Sequence, residues 1–332
     1  MSVSEQLGER EIIETLWKQM EKMARMPVPF GDDVSAFSVD SERLAVLKTD
    51  MLVGKTDVPP NMSLWQAARK AVVMNVSDFA AKGVKPSVML ISLGLPRGFT
   101  KAKIEEIGKG LNAGAREYGA YIIGGDTGEA SDLVISVSLF GLAPKKSLML
   151  RSGAKEGDFV AVTGAFGRTA AGLKLLLGTL SAETDDRDTL VESVLMPHAR
   201  LKEGLALGRT QVVTAAIDSS DGLAWSLHEI ARSSKVGFLI DKLPAAEEAV
   251  KVAAANRLDP SELVLYGGEE YELVVTVKPK LWNKAADAVK QVGGKLLLIG
   301  KVTRGRQVFL KVDGEKHVVE PRGWEHFKSC AC

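Results

Sequence analysis

Several aspartates in this chain share one local grammar: an apolar run, then a carboxylate beside Gly, Ser or Thr. They stand in Gly31-Asp32-Asp33, Lys48-Thr49-Asp50, Asn75-Val76-Ser77-Asp78, Gly124-Gly125-Asp126-Thr127 and Ile217-Asp218-Ser219-Ser220-Asp221-Gly222. A carboxylate after a buried strand is costly unless something offsets its desolvation. Hard cations such as Mg²⁺ are natural partners, because they take oxygen ligands and bridge to phosphates. So many carboxylates in this setting suggest a multi-metal phosphate site rather than ordinary surface charge.

The 332 residues are enough for two domains, and 45% hydrophobic content supplies material for packed cores. A net charge of +1 without a long basic tract argues against nucleic acid as a partner. The two cysteines, Cys330 and Cys332, are too few for a disulfide framework and read as a reduced tail rather than a metal or redox site. Ser4 to Arg10 is polar and acidic, with no apolar leader core. No stretch approaches the roughly 20 apolar residues of a membrane span. A cytoplasmic protein without a membrane partner is expected.

Apolar spacing at Ile12, Ile13, Leu16 and Met20 predicts an amphipathic helix from about Glu9 to Met23, ended by Pro27-Val28-Pro29. Strands follow at Ser35–Val39 and Leu44–Leu52. Ser63 caps a long buried helix through Phe79, which Lys82-Gly83-Val84-Lys85-Pro86 stops. Next come a strand at Ser87–Leu95, a Thr100-capped helix to Glu117, and strands Tyr121–Ile123 and Leu133–Leu142 flanking a Gly-Gly-Asp-Thr turn. This order predicts a mixed sheet with helices on one face. A boundary falls between Pro144 and Gly153, giving domains 1–146 and 147–332. The second half is read as strand Asp158–Gly164, helix Ala170–Leu177, a polar loop Leu180–Asp188, helix Arg200–Leu207, strand Val212–Ile217 and helix Leu223–Ser233. Strand Gly237–Ile240, helix Ala245–Ala255, strand Leu273–Val277, helix Leu281–Val292, strand Leu296–Ile299 and a hairpin around Asp313-Gly314 complete an α/β domain.

Each acidic segment also has a plain structural reading. Asp32-Asp33 could form a turn or cap. Thr49 and Asp50 together offer two hard oxygen ligands, or a structural cap. Asp78 lies inside an apolar helix and shares a face with Asn75, so it needs a cation or hydrogen bonds. Gly124-Gly125 lets backbone approach a phosphate, or simply makes a hairpin turn. Asp221 or Ser220 could cap the following helix, which leaves Asp218 unexplained. Gly164 to Thr169 is neither a Walker A nor a Rossmann fingerprint and reads as a packing turn that could assist phosphate binding. Arg151 at the domain boundary suits a triphosphate. Gly267-Gly268-Glu269-Glu270-Tyr271-Glu272 is either a solvated edge or a receiver for a cationic or hydroxylated substrate. His198 and His228 read as structural.

Taken in order, these motifs with Arg151-Ser152-Gly153-Ala154 and Gly323-Trp324-Glu325-His326-Phe327 resemble the thiamine-monophosphate kinases. That family belongs to the superfamily holding aminoimidazole ribonucleotide synthetase and selenide water dikinase. The resemblance covers nearly the whole chain. It implies two α/β domains, with the N-terminal sheet forming a barrel across a homodimer axis. It implies ATP-dependent phosphorylation of thiamine monophosphate to thiamine diphosphate. By the same resemblance Asp33, Thr49, Asp50, Asp78, Asp126, Asp218 and Asp221 carry several Mg²⁺ ions. Gly125, Asp126, Arg151 and Ser220 contact ATP, and Asp57, Glu270 and Trp324 contact the thiamine substrate. A monovalent cation is also conceivable. The chain departs from the family at Asp57, where many relatives carry His, at Lys48, where Ser is common, and at Glu270, where Asp is usual.

Phosphoryl transfer asks a protein for positioning and charge neutralisation more than for covalent chemistry. No Cys or His nucleophile is evident. Two alternatives stay open: a sister ATP-dependent enzyme of the ring-closing synthetase or selenophosphate synthase type, and a non-catalytic nucleotide-binding module. The selenophosphate synthase type usually needs a reactive Cys or selenocysteine near its N-terminus, and this chain has none there.

Overall fold

The computed structural model describes residues 7–327, so the Cys330 and Cys332 tail lies outside the described residues. In chain order the first half contains α1 (Glu9–Lys18), β1 (Ser35–Ser38), β2 (Arg43–Val53), α2 (Gly54–Asp57), α3 (Leu64–Lys82), β3 (Pro86–Leu95), α4 (Lys101–Glu117), β4 (Tyr121–Glu129) and β5 (Val134–Pro144). Its sheet runs β1-β2-β5-β3-β4, antiparallel except for the β3–β4 pair. The second half contains β6 (Phe159–Val162), α5 (Arg168–Leu176), α6 (Thr184–Leu195), α7 (Leu201–Thr210), β7 (Val213–Asp218) and α8 (Leu223–Ser234). It continues with β8 (Gly237–Ile240), α9 (Glu247–Ala255), α10 (Pro260–Tyr266), β9 (Leu273–Val277), α11 (Trp282–Gln291), β10 (Leu297–Thr303), β11 (Val308–Val312) and β12 (Glu315–Val318). The second sheet runs β12-β11-β8-β10-β6-β9-β7, and only β11–β8 is parallel among these pairs. Two α/β units with mixed sheets are therefore present, as the sequence leads one to expect.

Helix α3 organises the molecule. Ser63 Oγ accepts from Gln66 N–H at 3.1 Å while Gln66 Oε1 accepts from Ser63 N–H at 2.9 Å, a reciprocal cap that starts the helix. Gly83, at φ +67°, ends it in the left-handed conformation that glycine adopts at least cost. Every residue from Ala67 to Lys82 except Met74 is buried. A helix enclosed on all sides needs small residues where its neighbours approach. On α4, a Cβ at Gly110 would lie 2.2 Å from Trp65 O; on α7, one at Gly204 would lie 2.0 Å from Ala80 O. Helix α3 thus packs against the first sheet, α4, α7 and strand β7 of the second sheet.

Several expectations need correction. The N-terminal helix stops at Lys18 and buries none of its residues; Ile13 and Leu16 are exposed. Its apolar stripe therefore does not dock into a core. The Gly-Gly-Asp-Thr segment is no turn but the middle of β4, hydrogen-bonded in parallel to β3 across a register shift at Met89/Leu90. The bulge lets the paired glycines stay in the strand. The expected polar loop from Leu180 contains α6, and α10 was not foreseen. Helix α6 buries only Leu190 and Val194, so its apolar pattern is weak, and α10 is only seven residues long.

Because α7 and α3 touch backbone to backbone at Gly204 and Ala80, Gly204→Ala forces them apart. The expected cost is about 1–3 kcal/mol of stability. Urea unfolding measures it, and an unchanged midpoint would show that the helices can separate freely.

Candidate active site

Strand alternation decides which acidic residues meet. Successive side chains on a strand point to opposite faces. On β2, Leu44, Val46 and Leu52 are buried towards α3, and Lys48 and Asp50 share that face. Thr49, one residue out of phase, faces the open side, where its Oγ1 lies 3.1 Å from Ser138 Oγ. The register aligns Asp126 through Ser92 and Ser136 with Met51, which puts Asp126 on the same open face. Gly125 aligns with Ile91 on the edge strand β4. Thr49 and Asp126 therefore do not join the other carboxylates within this chain, contrary to the pairing of Thr49 with Asp50 read from the sequence.

On the inner face, Asp33, Asp78 and Asp218 converge. All three are buried, and each offers a carboxylate oxygen within 4.8 Å of the others. They come from the loop before β1, from α3 and from the end of β7. Ser77 Oγ donates to Asp218 Oδ2 at 2.6 Å. Lys48 Nζ, from β2, lies 3.0 Å from Asp78 Oδ2 and 3.4 Å from Asp50 Oδ2.

Lys82, the last residue of α3, has no solvent exposure. Its ammonium lies 2.6 Å from Asp32 Oδ1 and 2.7 Å from Asp33 Oδ2, the latter an ion pair outside hydrogen-bonding geometry. It also donates to Ala216 O on β7 at 2.9 Å. Arg151 closes the same loop from the other side. Its Nε donates to Asp33 Oδ1 at 2.5 Å, its Nη1 to Gly31 O at 2.8 Å, and its backbone N–H to Asp32 Oδ2 at 3.0 Å. Lys82 escaped the sequence reading because a lysine in a last helical turn ordinarily just complements the helix dipole.

The electrostatics follow from this wiring. Burial pushes the Asp33 carboxyl up, but Arg151 and Lys82 outweigh it and hold it below its usual range. Burial drives Asp78 well above its usual range; Lys48 offsets part of this while Asp218 and Asp50 add to it. Burial, with the nearby Asp33, lifts Asp218 to about 6. Asp221 rises to about 6 through burial, Glu9 and Asp218. Lys48 is held cationic: burial opposes its charge, but Asp78 and Asp50 prevail. Three crowded, buried carboxylates form an oxygen-only donor set, which is what a hard divalent cation requires. Two buried oxygens near the trio in sequence, Asn75 Oδ1 and Ser219 Oγ, have no hydrogen-bond partner among the described residues. The residues present fit Mg²⁺.

A cleft of about 360 Å³ adjoins the trio, with Asp218 in its lining. Arg151, Ser220, Asp221 and Trp225 form one wall, and Glu9, Arg10, Trp17 and Phe30 form the other. Trp324 stands in the lining, its backbone N–H donating to Asp221 O at 3.1 Å. Helix α1 earns its place here rather than in a core. Arg10 Nη1 reaches Glu229 Oε1 at 2.7 Å, and its guanidinium lies 3.6 Å from the Trp225 ring centroid. Trp17 stacks on Phe30 at 3.5 Å. Sequence periodicity gives no hint of the Arg10 contacts, which join residues more than 200 positions apart.

The remaining sequence candidates are held internally. Asp57 Oδ2 accepts from Val53 N–H at 2.7 Å and closes a tight turn. Glu270 Oε1 accepts from the N–H groups of Gly167 and Thr169 at 2.6 and 3.2 Å, so it caps α5. Burial still raises Glu270 to about 7, with the Gly167 bond opposing the rise. Those amides are therefore already satisfied, and the Gly164–Thr169 turn is not a free phosphate cradle. Glu269 pairs with Lys70 at 2.5 Å, and Glu272 forms a two-pronged pair with Arg200. The acidic run is neither a solvated edge nor an open receiver.

Removing Lys82 would strand Asp32 and Asp33 without their shared cation. Lys82→Met should cost about 3–5 kcal/mol. A denaturation curve displaced by less than about 1 kcal/mol would show that Arg151 suffices alone.

Residues 31–143 match the model of the AIR synthase related protein N-terminal domain, and 155–313 that of the C-terminal domain. A protein of Nitrosopumilus maritimus named thiamine-monophosphate kinase is 38% identical over 90% of this chain and 93% of its own. One of the same name from Pyrococcus horikoshii is 38% identical over 97% of both chains. Among solved structures, one described as AaThiL complexed with AMPPCP and TMP superposes with a TM-score of 0.84 at 30% identity, covering 98% of this chain and 100% of that one. The thiamine monophosphate kinase of Aquifex aeolicus gives 0.79 at 28% identity, covering 96% and 99%. A HypE–HypF complex gives 0.74 at 22% identity, which speaks to the fold alone. With the buried carboxylate trio, the adjoining cleft and both domain matches in place, the chain belongs to the thiamine-monophosphate kinase family of AIR synthase related proteins.

Proposed function

We propose that this chain transfers the γ-phosphate of ATP to thiamine monophosphate, giving thiamine diphosphate and ADP. The observation that carries the reading is that Asp218 belongs both to the buried carboxylate trio and to the lining of the cleft. Support also comes from the relatives' shared name and from the AMPPCP and TMP named with one similar structure.

Asp33, Asp50, Asp78, Asp218 and Asp221 would hold Mg²⁺. When bound, that ion neutralises phosphate oxygens and lowers the repulsion between two anionic substrates. Arg151 orients a phosphate while remaining tied to Asp33, and Ser220 offers a hydroxyl at the cleft wall. The aromatic lining suits a flat heterocycle, and Trp324 is the candidate for the thiamine side. Asp57 and Glu270 act on substrate indirectly, by fixing the turn and the loop they close. A phosphate monoester has a second pKa of about 6, so the attacking oxygen is mostly ionised near neutrality and needs no dedicated base.

The dimer belongs to the same proposal. The open face of the first sheet exposes Phe37, Leu47, Met51, Leu90, Tyr121 and Leu142. An apolar sheet face of this kind marks a partner surface. A second copy placed there forms the expected barrel and covers Thr49. It also meets the exposed β4 edge, the route by which Gly125 and Asp126 would reach phosphate and metal on a neighbouring chain. A cytoplasmic location fits the scarcity of cysteine, and among the described residues no helix is long and apolar enough to cross a membrane.

Incubation with Mg-ATP and thiamine monophosphate, followed by chromatography, should yield thiamine diphosphate and ADP; ATP binding without product would favour a nucleotide-binding module instead. Asp78→Asn should lower turnover by about 10²-fold or more. Wild-type rates in that variant at ordinary Mg²⁺ would remove the metal assignment. Met51→Glu should convert the dimer to a monomer in light scattering; a monomeric wild type, or an unaffected dimer, counts against the barrel.

A further inference from the structure

Lys48 sits where a metal ion could. Its Nζ touches one oxygen each of Asp78 and Asp50, at 3.0 and 3.4 Å, and its side chain is only 19% exposed. Lys48 and Asp50 share a face because they are two apart on β2, and Asp78 meets them from α3. An Mg²⁺ ion bridging the same two carboxylates would stand about 2.0–2.1 Å from each oxygen. Ammonium and metal therefore compete for one position, and their like charges forbid sharing it.

We propose that Lys48 is a built-in cation that replaces one divalent metal between Asp50 and Asp78. The inference rests on the reading of the trio as a metal site. Charge bookkeeping supports it. Asp32, Asp33, Asp50, Asp78, Asp218 and Asp221 meet Lys48, Lys82 and Arg151, which leaves three negative charges for divalent metal at the site. Glu229, the other contact of Arg151, has Arg10 and Arg232 of its own. Without Lys48 the same pocket gains a fourth uncompensated charge and an open bridging position. The ammonium is tethered, so its place between β2 and α3 is filled at any metal concentration. A free ion would fill it only above its dissociation constant.

The test counts ions, independently of turnover. Mn²⁺ alone is titrated into the wild-type chain, Lys48→Ser, Lys48→Gln and Lys48→Arg, with free Mn²⁺ read from its electron paramagnetic resonance signal. Lys48→Ser and Lys48→Gln should each bind one more ion per chain than wild type, and Lys48→Arg the same number as wild type. Mn²⁺ should also raise the melting temperature of the two neutral variants more than that of wild type. Equal counts in all four proteins, or an extra ion in Lys48→Arg, overturn the proposal. Lys48→Gln keeps most of the stem and carries the comparison if Lys48→Ser does not fold. A wild type that binds Mn²⁺ yet makes no thiamine diphosphate ends the kinase reading and leaves the ion count to judge Lys48.

Discussion

The site depends on one buried ammonium. Lys82 Nζ, wholly shielded from water, contacts Asp32 and Asp33 in the loop before β1 and Ala216 O on a strand of the second sheet. The lysine itself ends the central helix of the first half. One point charge thus ties together a helix, a loop and the neighbouring domain. A buried cation is tolerated only when its acceptors are all in place. The arrangement is therefore cooperative: if the loop moves, the ammonium loses two carboxylates, and if the second sheet moves, it loses a carbonyl. Asp33 enters the trio already fixed by this pair and by Arg151, which explains why its carboxyl alone among the three stays below its usual range.

Helix α3 divides its labour along its length. The first turns pack through Ala67, Ala68, Ala71 and Val72, where small side chains let α4 come close. The last turns carry Asn75, Ser77, Asp78 and Lys82, all buried. Burying six polar residues in one helix, these four together with Arg69 and Lys70, costs stability unless each finds partners, and Asn75 Oδ1 finds none among the described residues. Local rules of stable folding are broken where chemistry is needed. The buried alanines and valines of the helix and the glycine-lined contacts with α4 and α7 offset that cost.

Much of this was legible in the sequence. Capping at Ser63 and Thr100, the stop at Gly83 and the β-branched strand runs are local signals, and the elements they mark are present. Asp78 stood out because a carboxylate inside an apolar helix violates a local pattern. What escaped was non-local. Thr49 and Asp50 adjoin in sequence, whereas the pleat sends neighbours to opposite faces. Gly124-Gly125 was read as a turn because paired glycines usually break strands, but parallel pairing to β3 and a bulge keep them in line. Arg10, Glu229 and Trp225 meet only through the tertiary fold, and no spacing rule joins residues so far apart.

The acidic run from Glu269 to Glu272 shows how a motif can serve a site without entering it. Three like charges so close repel, and the backbone separates them by placing Glu269 at φ +63° and Tyr271 at φ +52°. Each such conformation costs on the order of 1–3 kcal/mol in a non-glycine residue. The separated carboxylates offset this by finding Lys70, the α5 amides and Arg200. The twisted backbone then faces the segment after β7. Glu269 N–H donates to Ser220 O at 2.6 Å, Tyr271 N–H to Ser219 O at 2.9 Å, and Ser219 N–H to Glu272 O at 2.9 Å. These bonds hold the stretch between Asp218 and Asp221 as if it were one more strand residue pair. Asp218 is thereby kept on the buried trio while Ser220 and Asp221 turn into the cleft. The strain in one loop fixes the direction in which its neighbour presents oxygen ligands.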